Sequence, residues 1–139
     1  MSKISEFFGL NCNNDSLDFK SAMKAKTCPF THRDCIKIRK SDPSVKIGTC
    51  SVNYQGQYMI ICPYRMIEHN QIFIDCLHLL TMHEPGNSLY LVPEVKIPGG
   101  TIDYFLVSSR DQKVNDFVAI EIQTLDTTGS IWPKRQKFL

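Results

Sequence analysis

The chain has 139 residues, of which 42% are hydrophobic and 22% are charged, and its formal net charge is +2. This length suits one small domain with a modest core, and the composition is that of an ordinary globular protein. So small a net charge gives no global electrostatic case for nucleic-acid binding. There is no apolar run of about 18 residues and no signal-peptide pattern, so we expect a cytoplasmic protein with no membrane partner.

Apolar spacing predicts two helices. The first follows a short N-terminal lead-in, where Asp15 or Ser16 can cap it. The second is predicted over residues 64–83, with Asn70 available as a cap and Pro85-Gly86 as its end. Its apolar side chains recur at helical spacing, at Ile72, Phe73, Cys76, Leu77 and Leu80. This stripe is expected to pack on a sheet.

Six cysteines in a protein of a reducing compartment argue against disulfides and for buried thiols or a metal. The spacing C-x6-C-x14-C-x11-C, which is not a common zinc-finger spacing, separates Cys28, Cys35, Cys50 and Cys62. Four thiolates suit zinc or a single iron in a closed, structural site. The alternative is that the four are small buried hydrophobic side chains.

Local pattern supports the metal interpretation. Residues 48–54 and 57–62 are predicted to be the two arms of a hairpin that turns at Gln55-Gly56. That turn places Cys50 opposite Ile61, so the thiols of Cys50 and Cys62 are expected at the same open end. The two earlier cysteines lie in a loop before the hairpin and are free to fold over it.

Three β-strands are predicted in the C-terminal half, over residues 89–95, 101–108 and 116–124. Pro98-Gly99-Gly100 is a turn signal between the first two strands, and a polar break is predicted over residues 109–115. Because strand side chains alternate between faces, every second residue of the third strand shares one surface.

One pattern of carboxylate and amide residues in this half has a chemical meaning. It consists of Asp103, Glu121 and Gln123. Asp103 is predicted at the start of the second strand, while Glu121 and Gln123 share one surface of the third. G-x-x-D followed 18 residues later by E-x-Q is the layout of metal-dependent nucleases of the PD-(D/E)xK type. Two carboxylates can hold a divalent cation, and an amide can orient water without supplying charge. The alternative is that all three are solvated or turn-capping side chains.

Two separate stretches resemble one known family. Residues 119–139, AIEIQTLDTTGSIWPKRQKFL, resemble the catalytic strand and following segment of NotI-type restriction endonucleases. The cysteine motifs, in Cys28-Pro29-Phe30, Cys35, Gly48-Thr49-Cys50 and Cys62-Pro63, resemble the four-cysteine metal site of that family. The resemblance implies an α/β, restriction-endonuclease-like core in residues 64–139. A metal-binding region over residues 1–63 would precede it.

The resemblance also implies roles for particular residues. Asp103 and Glu121 would bind catalytic Mg²⁺, and Gln123 would replace the usual lysine. Glu94 would be a supporting upstream carboxylate; its match to the family rests on its position in the chain rather than on a motif. The four cysteines would hold one rubredoxin-like iron. The implied activity is type II, site-specific hydrolysis of double-stranded DNA at a GC-rich palindrome, by a homodimer that is paired with a cognate DNA methyltransferase.

Only 16 residues follow Gln123, whereas nucleases of this class continue with further helices and a strand. We therefore expect a chain that corresponds to the N-terminal portion of such an enzyme and that cuts duplex DNA poorly by itself. One alternative is a non-catalytic, metal-stabilised module that contacts DNA or protein through its basic stretches, in residues 20–26, 33–40 and 134–137. Another is a repair or junction-cleaving nuclease.

Overall fold

The computed structural model describes residues 4–14, 17–125, 133 and 136. The protein is mixed α/β, with three antiparallel sheets and few helices. It divides into two compact units, the first comprising Met1–Glu68 with Thr124–Leu139 and the second comprising His69–Gln123. Within the described ranges, no helix is both long enough and apolar enough to cross a membrane.

The first unit is built on a four-stranded sheet. Its strands are β1 (Ile4–Phe7), β2 (Leu10–Asn11), β5 (Thr49–Tyr54) and β6 (Gln57–Ile60), in the order β2-β1-β5-β6. A separate pair is formed by β3 (Ile38–Arg39) and β4 (Asp42–Lys46). The sequence predicted only a lead-in where β1 lies. Two register shifts against β5 disturb the alternation of this four-residue strand, which conceals it in the sequence.

Helix α1 (Phe19–Ala25) packs one side against this core. Its partly buried residues Phe19, Ala22 and Met23 contact the cluster formed by Ile4, Phe7, Phe8, Cys12 and Cys35. Asp18 caps the helix, because its carboxylate accepts a hydrogen bond from the Ser21 backbone at 2.9 Å. The two caps that the sequence suggested, Asp15 and Ser16, lie outside the described residues, as do residues 126–132 and most of the basic C-terminal stretch.

The β5–β6 hairpin is confirmed with its turn at Gln55-Gly56. Gln55 has φ 50° and Gly56 has φ 84°, which is the left-handed pair that a two-residue type I′ turn requires. The Asn53 side chain accepts a hydrogen bond from the Gly56 backbone at 3.0 Å. The Ile61 backbone donates to the Cys50 carbonyl at 3.0 Å, so Cys50 does face Ile61.

The single helix predicted over residues 64–83 is wrong. The segment instead forms a 3₁₀ stretch (Pro63–Asn70), helix α2 (Gln71–Cys76) and a further 3₁₀ turn (Leu77–Leu79). Two successive left-handed residues, His69 at φ 56° and Asn70 at φ 57°, interrupt it. Asn70 precedes α2 but makes no side-chain capping bond.

The second unit is organised on an antiparallel meander of β7 (Ser88–Ile97), β8 (Gly100–Arg110) and β9 (Lys113–Ile120). The Pro98-Gly99 turn is confirmed, with Gly99 at φ 92° as a type II turn requires. The polar break predicted over residues 109–115 contains the turn between the strands but is too long, because β8 continues to Arg110 and β9 begins at Lys113. Asp111 and Gln112, at φ 50° and 62°, make a tight turn there.

The two faces of the meander differ in how far they are covered. On one face, Phe73 of α2 contacts Tyr104 with ring centroids 4.9 Å apart, and Leu106 and Ser108 are buried. His83 Nδ1 lies 2.7 Å from the Ser108 hydroxyl on this same face. The opposite side, called here the open face, carries exposed or partly exposed apolar side chains of Tyr90, Val92, Phe105, Val107 and Phe117.

Candidate carboxylate and cysteine sites

Two carboxylates lie opposite each other on neighbouring strands of the meander, and a third follows the end of its last strand. The pairs Pro93–Tyr104 and Val95–Ile102 flank the positions of Glu94 and Asp103, which are therefore opposite each other. Tyr104 pairs with Ile120, the last residue of β9, and Glu121 follows directly after it. Glu94 and Asp103 in the sheet, together with Glu121 just beyond the end of β9, are called here the carboxylate row.

A bulge in β9 sets this alignment. The pairing of β9 with β8 shifts by one residue between Ser108 and Ser109, and Asn115 of β9 is left without a pairing partner on β8. Without the extra residue, Asp103 would stand opposite Ile120, and Glu121 would move to the opposite face because strand side chains alternate. The bulge therefore gives Glu121 its place in the carboxylate row.

Asp103 also ends the third strand. Its Oδ2 atom accepts a hydrogen bond from the Ile122 backbone at 2.8 Å, so a side chain takes the role of a ladder carbonyl. The strand predicted to run to residue 124 consequently stops at Ile120. Glu121 and Gln123 lie just after the strand, both exposed, rather than within it.

Glu94 has an unusual backbone conformation for a strand residue. Its φ is +53°, although the pairing offset between β7 and β8 is the same before and after it. A left-handed conformation costs a non-glycine residue on the order of 1 kcal/mol. The conformation kinks the edge strand at the carboxylate row without changing the register.

The carboxylate row brings like charges onto neighbouring strands. Like charges directly opposite each other on neighbouring strands destabilise a sheet. Strands lie about 4.8 Å apart, a spacing at which one divalent ion can be shared by two neighbouring carboxylates. In the structure as it stands, however, no three His, Cys, Asp or Glu side chains of the described residues are gathered closely enough to hold a metal. The Asp103 carboxylate instead accepts the Ile122 hydrogen bond.

The four predicted metal-binding cysteines are all buried, between 6% and 8% exposed, in the first unit. The first two flank a short bridge in which Thr27 pairs with Asp34. There the Cys28 backbone donates to the Arg33 carbonyl at 2.7 Å, and the Cys35 backbone donates to Lys26 at 2.8 Å. The other two cysteines come from the open end of the β5–β6 hairpin.

Charge and hydrogen bonding show which thiols are neighbours. Burial raises the pKa of the Cys50 thiol, with further contributions from Cys62 and Cys35, while a hydrogen bond from the Gly9 backbone opposes the rise. Burial likewise raises the pKa of Cys62, against hydrogen bonds from the backbones of Tyr64 and Arg65. The Cys50 thiol itself donates to the Gly48 carbonyl at 3.5 Å, and backbone donors aimed at sulfur would favour the thiolate form. The donor set therefore suits a tetrahedral thiolate site, although its sulfurs are not gathered into one in the described chain.

The two remaining cysteines stand apart from this set. Cys12 is buried beside Cys35 in the apolar core, where burial raises the pKa of its thiol to about 11. Cys76 is only partly buried and belongs to the second unit.

An ion pair that the sequence did not indicate lies next to the cysteines. The Glu6 carboxylate accepts hydrogen bonds from Arg65 Nε at 2.9 and 3.1 Å and from the Ser51 hydroxyl at 2.8 Å. The Arg65 guanidinium also lies over the Phe30 ring, 5.2 Å from its centroid. Glu6 and Arg65 are 59 residues apart in the chain, so no local pattern could have paired them.

Replacing Glu6 with Gln is expected to destabilise the first unit by about 1–2 kcal/mol, because the partly buried Arg65 cation then keeps only the more exposed Glu68 carboxylate as its counter-charge. Burial acts to raise the Glu6 pKa, but hydrogen bonds from Arg65, Tyr58 and Ser51 hold it below the ordinary value of 4.5. The stabilisation is therefore complete above pH 4.5 and is lost as the pH falls through the lower folded pKa. Hydrogen exchange of the β1 and β5 amides across this pH range measures it.

Tyr58→Phe is the matched control for Glu6→Gln. It removes one hydrogen bond to the same carboxylate and keeps both charges, so it should cost about 1 kcal/mol and leave the acid dependence intact. Equal acid dependence in Glu6→Gln and wild type would show that the ion pair does not produce it.

Comparison with protein-family models, with curated proteins and with solved structures finds no match to this chain. The resemblance to NotI-type endonucleases consequently rests on the motif residues alone and stays a prediction.

Proposed function

We propose that the second unit is the core of a metal-dependent nuclease that hydrolyses phosphodiester bonds in double-stranded DNA. The observation that supports this most directly is the carboxylate row, in which Glu94 and Asp103 lie opposite each other on neighbouring strands and Glu121 directly follows the end of the third. Like charges opposite each other on neighbouring strands oppose pairing, and a bound cation would offset them. The type II, site-specific character and the homodimer are part of the proposal through the NotI-type resemblance.

The roles in hydrolysis follow from the chemistry of each side chain. Asp103 and Glu121 would hold Mg²⁺, and Glu94 would support the site from the edge strand. When bound, the cation lowers the pKa of water and offsets charge growing on the phosphate. The Gln123 amide would orient the attacking water, whose oxygen forms a new bond to phosphorus while the bond to the leaving sugar oxygen breaks; the proton of the attacking water goes to solvent, and the leaving oxygen takes a proton from solvent. Gln123 cannot act as a base or supply charge.

The proposed role of the first unit is structural. Cys28, Cys35, Cys50 and Cys62 hold one iron or zinc, which leaves no position open for a substrate. This assignment is supported by the burial of all four thiols and by the backbone donors that face Cys50 and Cys62. A cysteine site without a working carboxylate row would instead favour a non-catalytic binding module.

Mn²⁺ binding tests the carboxylate row without requiring activity. Asp103→Asn is expected to weaken Mn²⁺ binding more than about tenfold, because loss of even an outer-shell partner costs that much in metal sites. Electron paramagnetic resonance of free Mn²⁺ during titration measures the affinity. Glu84→Gln is the control, since Glu84 is an exposed carboxylate of the same unit whose only ion pair within the described chain is with Arg110, at 3.8 Å. A wild-type chain that binds no Mn²⁺, or an equal effect of both substitutions, would remove the basis of the proposal.

A further inference from the structure

The meander has two edge strands, β7 and β9, and they differ in how they are protected. An edge strand presents unpaired backbone groups that another strand can bind, and proteins block such edges with charged side chains, proline or bulges. Strand β9 carries the bulge at Asn115 next to the acidic residue Asp116, and beyond its end the Ile122 backbone is bound by Asp103. The outer edge of β9 is therefore protected.

Strand β7 is protected over its second half alone. That half contains Pro93, which has no N–H group, followed by Glu94, whose φ of +53° kinks the strand. No charged residue lies between Glu84 and Glu94. The first half, Ser88–Val92, called here the exposed edge, consequently has no charge, no proline and no bulge. Within the described ranges, no strand pairs with its outer side.

Both faces of the exposed edge lack cover. Four consecutive apolar side chains are between 40% and 55% exposed, those of Leu89, Tyr90, Leu91 and Val92. Because strand side chains alternate, Tyr90 and Val92 lie on the open face and the two leucines on the other. Leu106 of the central strand is only 5% exposed, although it pairs with Leu91. A further strand beside β7 would cover both rows of side chains.

The sequence of the exposed edge fits a second copy of itself. Leu89-Tyr90-Leu91 reads the same in both directions. In an antiparallel pair centred on Tyr90, each Leu89 faces the partner's Leu91, and the two tyrosines face each other. A twofold interface brings the same patch of both subunits together, so the patch must be complementary to itself. Apolar and aromatic cross-strand pairs of this kind favour pairing.

We propose that two copies of the chain dimerise through the exposed edge, in antiparallel register about Tyr90, so that the two meanders become one six-stranded sheet. Pro93 and the kink at Glu94 limit the pairing to this half of β7. Because small interfaces belong to weak or transient complexes, we expect a dimer that dissociates in the micromolar range. The inference goes beyond the proposed function, since it uses neither the carboxylate row nor the cysteines.

A charge at position 90 tests the interface. Tyr90→Lys is expected to weaken dimerisation at least about tenfold, because two like charges would then face each other across the pair. Tyr90→Glu should do the same for the same reason. Sedimentation equilibrium of the full chain, without DNA or added metal, measures the dissociation constants. Unchanged hydrogen exchange of the β8 amides shows that the variants remain folded.

Val114→Lys is the matched control. It introduces the same charge at an apolar side chain that is 62% exposed on the protected edge strand β9, so dimerisation should stay as in wild type. A wild-type chain that is still monomeric at about 1 mM would overturn the inference. Equal dimerisation of Tyr90→Lys and wild type, or equal weakening by Val114→Lys, would also overturn it.

Mixing the two charged variants tests the register. When Tyr90→Lys and Tyr90→Glu are present in equal amounts, opposite charges meet if position 90 of one copy lies opposite position 90 of the other. The mixture should therefore associate at least about tenfold more tightly than either variant alone. If the mixture associates no better than its components, the pairing about Tyr90 is rejected.

The proposed function and this inference fail separately. A monomeric wild-type chain would remove the interface and the homodimer, while Mn²⁺ binding and its loss in Asp103→Asn would still support the cation site. Conversely, a chain that binds no Mn²⁺ but shows the expected behaviour of the Tyr90 variants would keep the interface and reject the cation site.

Discussion

Cys50→Ser is expected to unfold the first unit and to release the structural metal that is proposed for it. Cys50 is 6% exposed in the central strand β5, and its sulfur receives the Gly9 backbone hydrogen bond. Structural zinc sites contribute about 10–16 kcal/mol of apparent binding free energy at neutral pH, which equals or exceeds the 5–15 kcal/mol stability of a typical domain. Loss of one thiolate from a four-thiolate site should therefore leave the unit without enough stability to fold. Hydrogen exchange of the β5 and β6 amides measures the loss.

Cys12→Ser is the matched control for that experiment. Cys12 is 8% exposed in the same unit and packs in the same core as Cys35, but it is not one of the four proposed ligands. It should lose about 1–2 kcal/mol from burial of a hydroxyl and keep its metal. Elemental analysis of the purified proteins identifies iron or zinc. One metal per chain in Cys50→Ser, or the same protection in both variants, would exclude a structural metal at these cysteines.

The parts of the first unit that the sequence predicted are those that short-range chemistry determines. The β5–β6 hairpin follows from Gln55-Gly56 between two β-rich runs, and its pairing places Cys50 against Ile61 as expected. Strand β1 was missed because its stability comes from residues distant in the chain. Ile4 pairs with Val52, and Glu6 binds Arg65. A strand of four residues with two register shifts has too little side-chain alternation to be recognised as a strand from the sequence.

In the second unit, the turn chemistry was predictable and the exact register was not. Pro98-Gly99 fixes the β7–β8 pairing, and with it the position of Glu94 opposite Asp103. The alignment of Glu121 depends on the unpaired Asn115, and nothing in the residues around it signals a bulge. The end of β9 depends on the Asp103 carboxylate. This carboxylate accepts the hydrogen bond from the Ile122 backbone, which in a longer strand would go to a backbone carbonyl of β8.

Glu121→Ala is expected to lower the rate of Mg²⁺-dependent nicking of supercoiled DNA by roughly 10³-fold or more, because a cation ligand contributes several kcal/mol to the transition state. The wild-type rate itself should be slow. The open face leaves Tyr90 and Phe117 more than half exposed, so few neighbouring side chains hold the carboxylate row in place, and loosely positioned groups lose rate steeply. Single-turnover conditions with the protein in excess over plasmid make such a rate measurable.

Glu84→Ala separates loss of the site from loss of stability or from a contaminating nuclease. Its carboxylate is 72% exposed in the same unit, so its removal should leave the nicking rate unchanged, and a contaminant would cut equally in both preparations. Equal rates in Glu121→Ala and wild type would refute the nuclease assignment. If Glu121→Ala also loses Mn²⁺ while the nicking rate stays the same, the carboxylate row is a cation site without hydrolytic activity. The binding-module interpretation would then account for both units, because a bound cation can stabilise the carboxylate row without any substrate being cut.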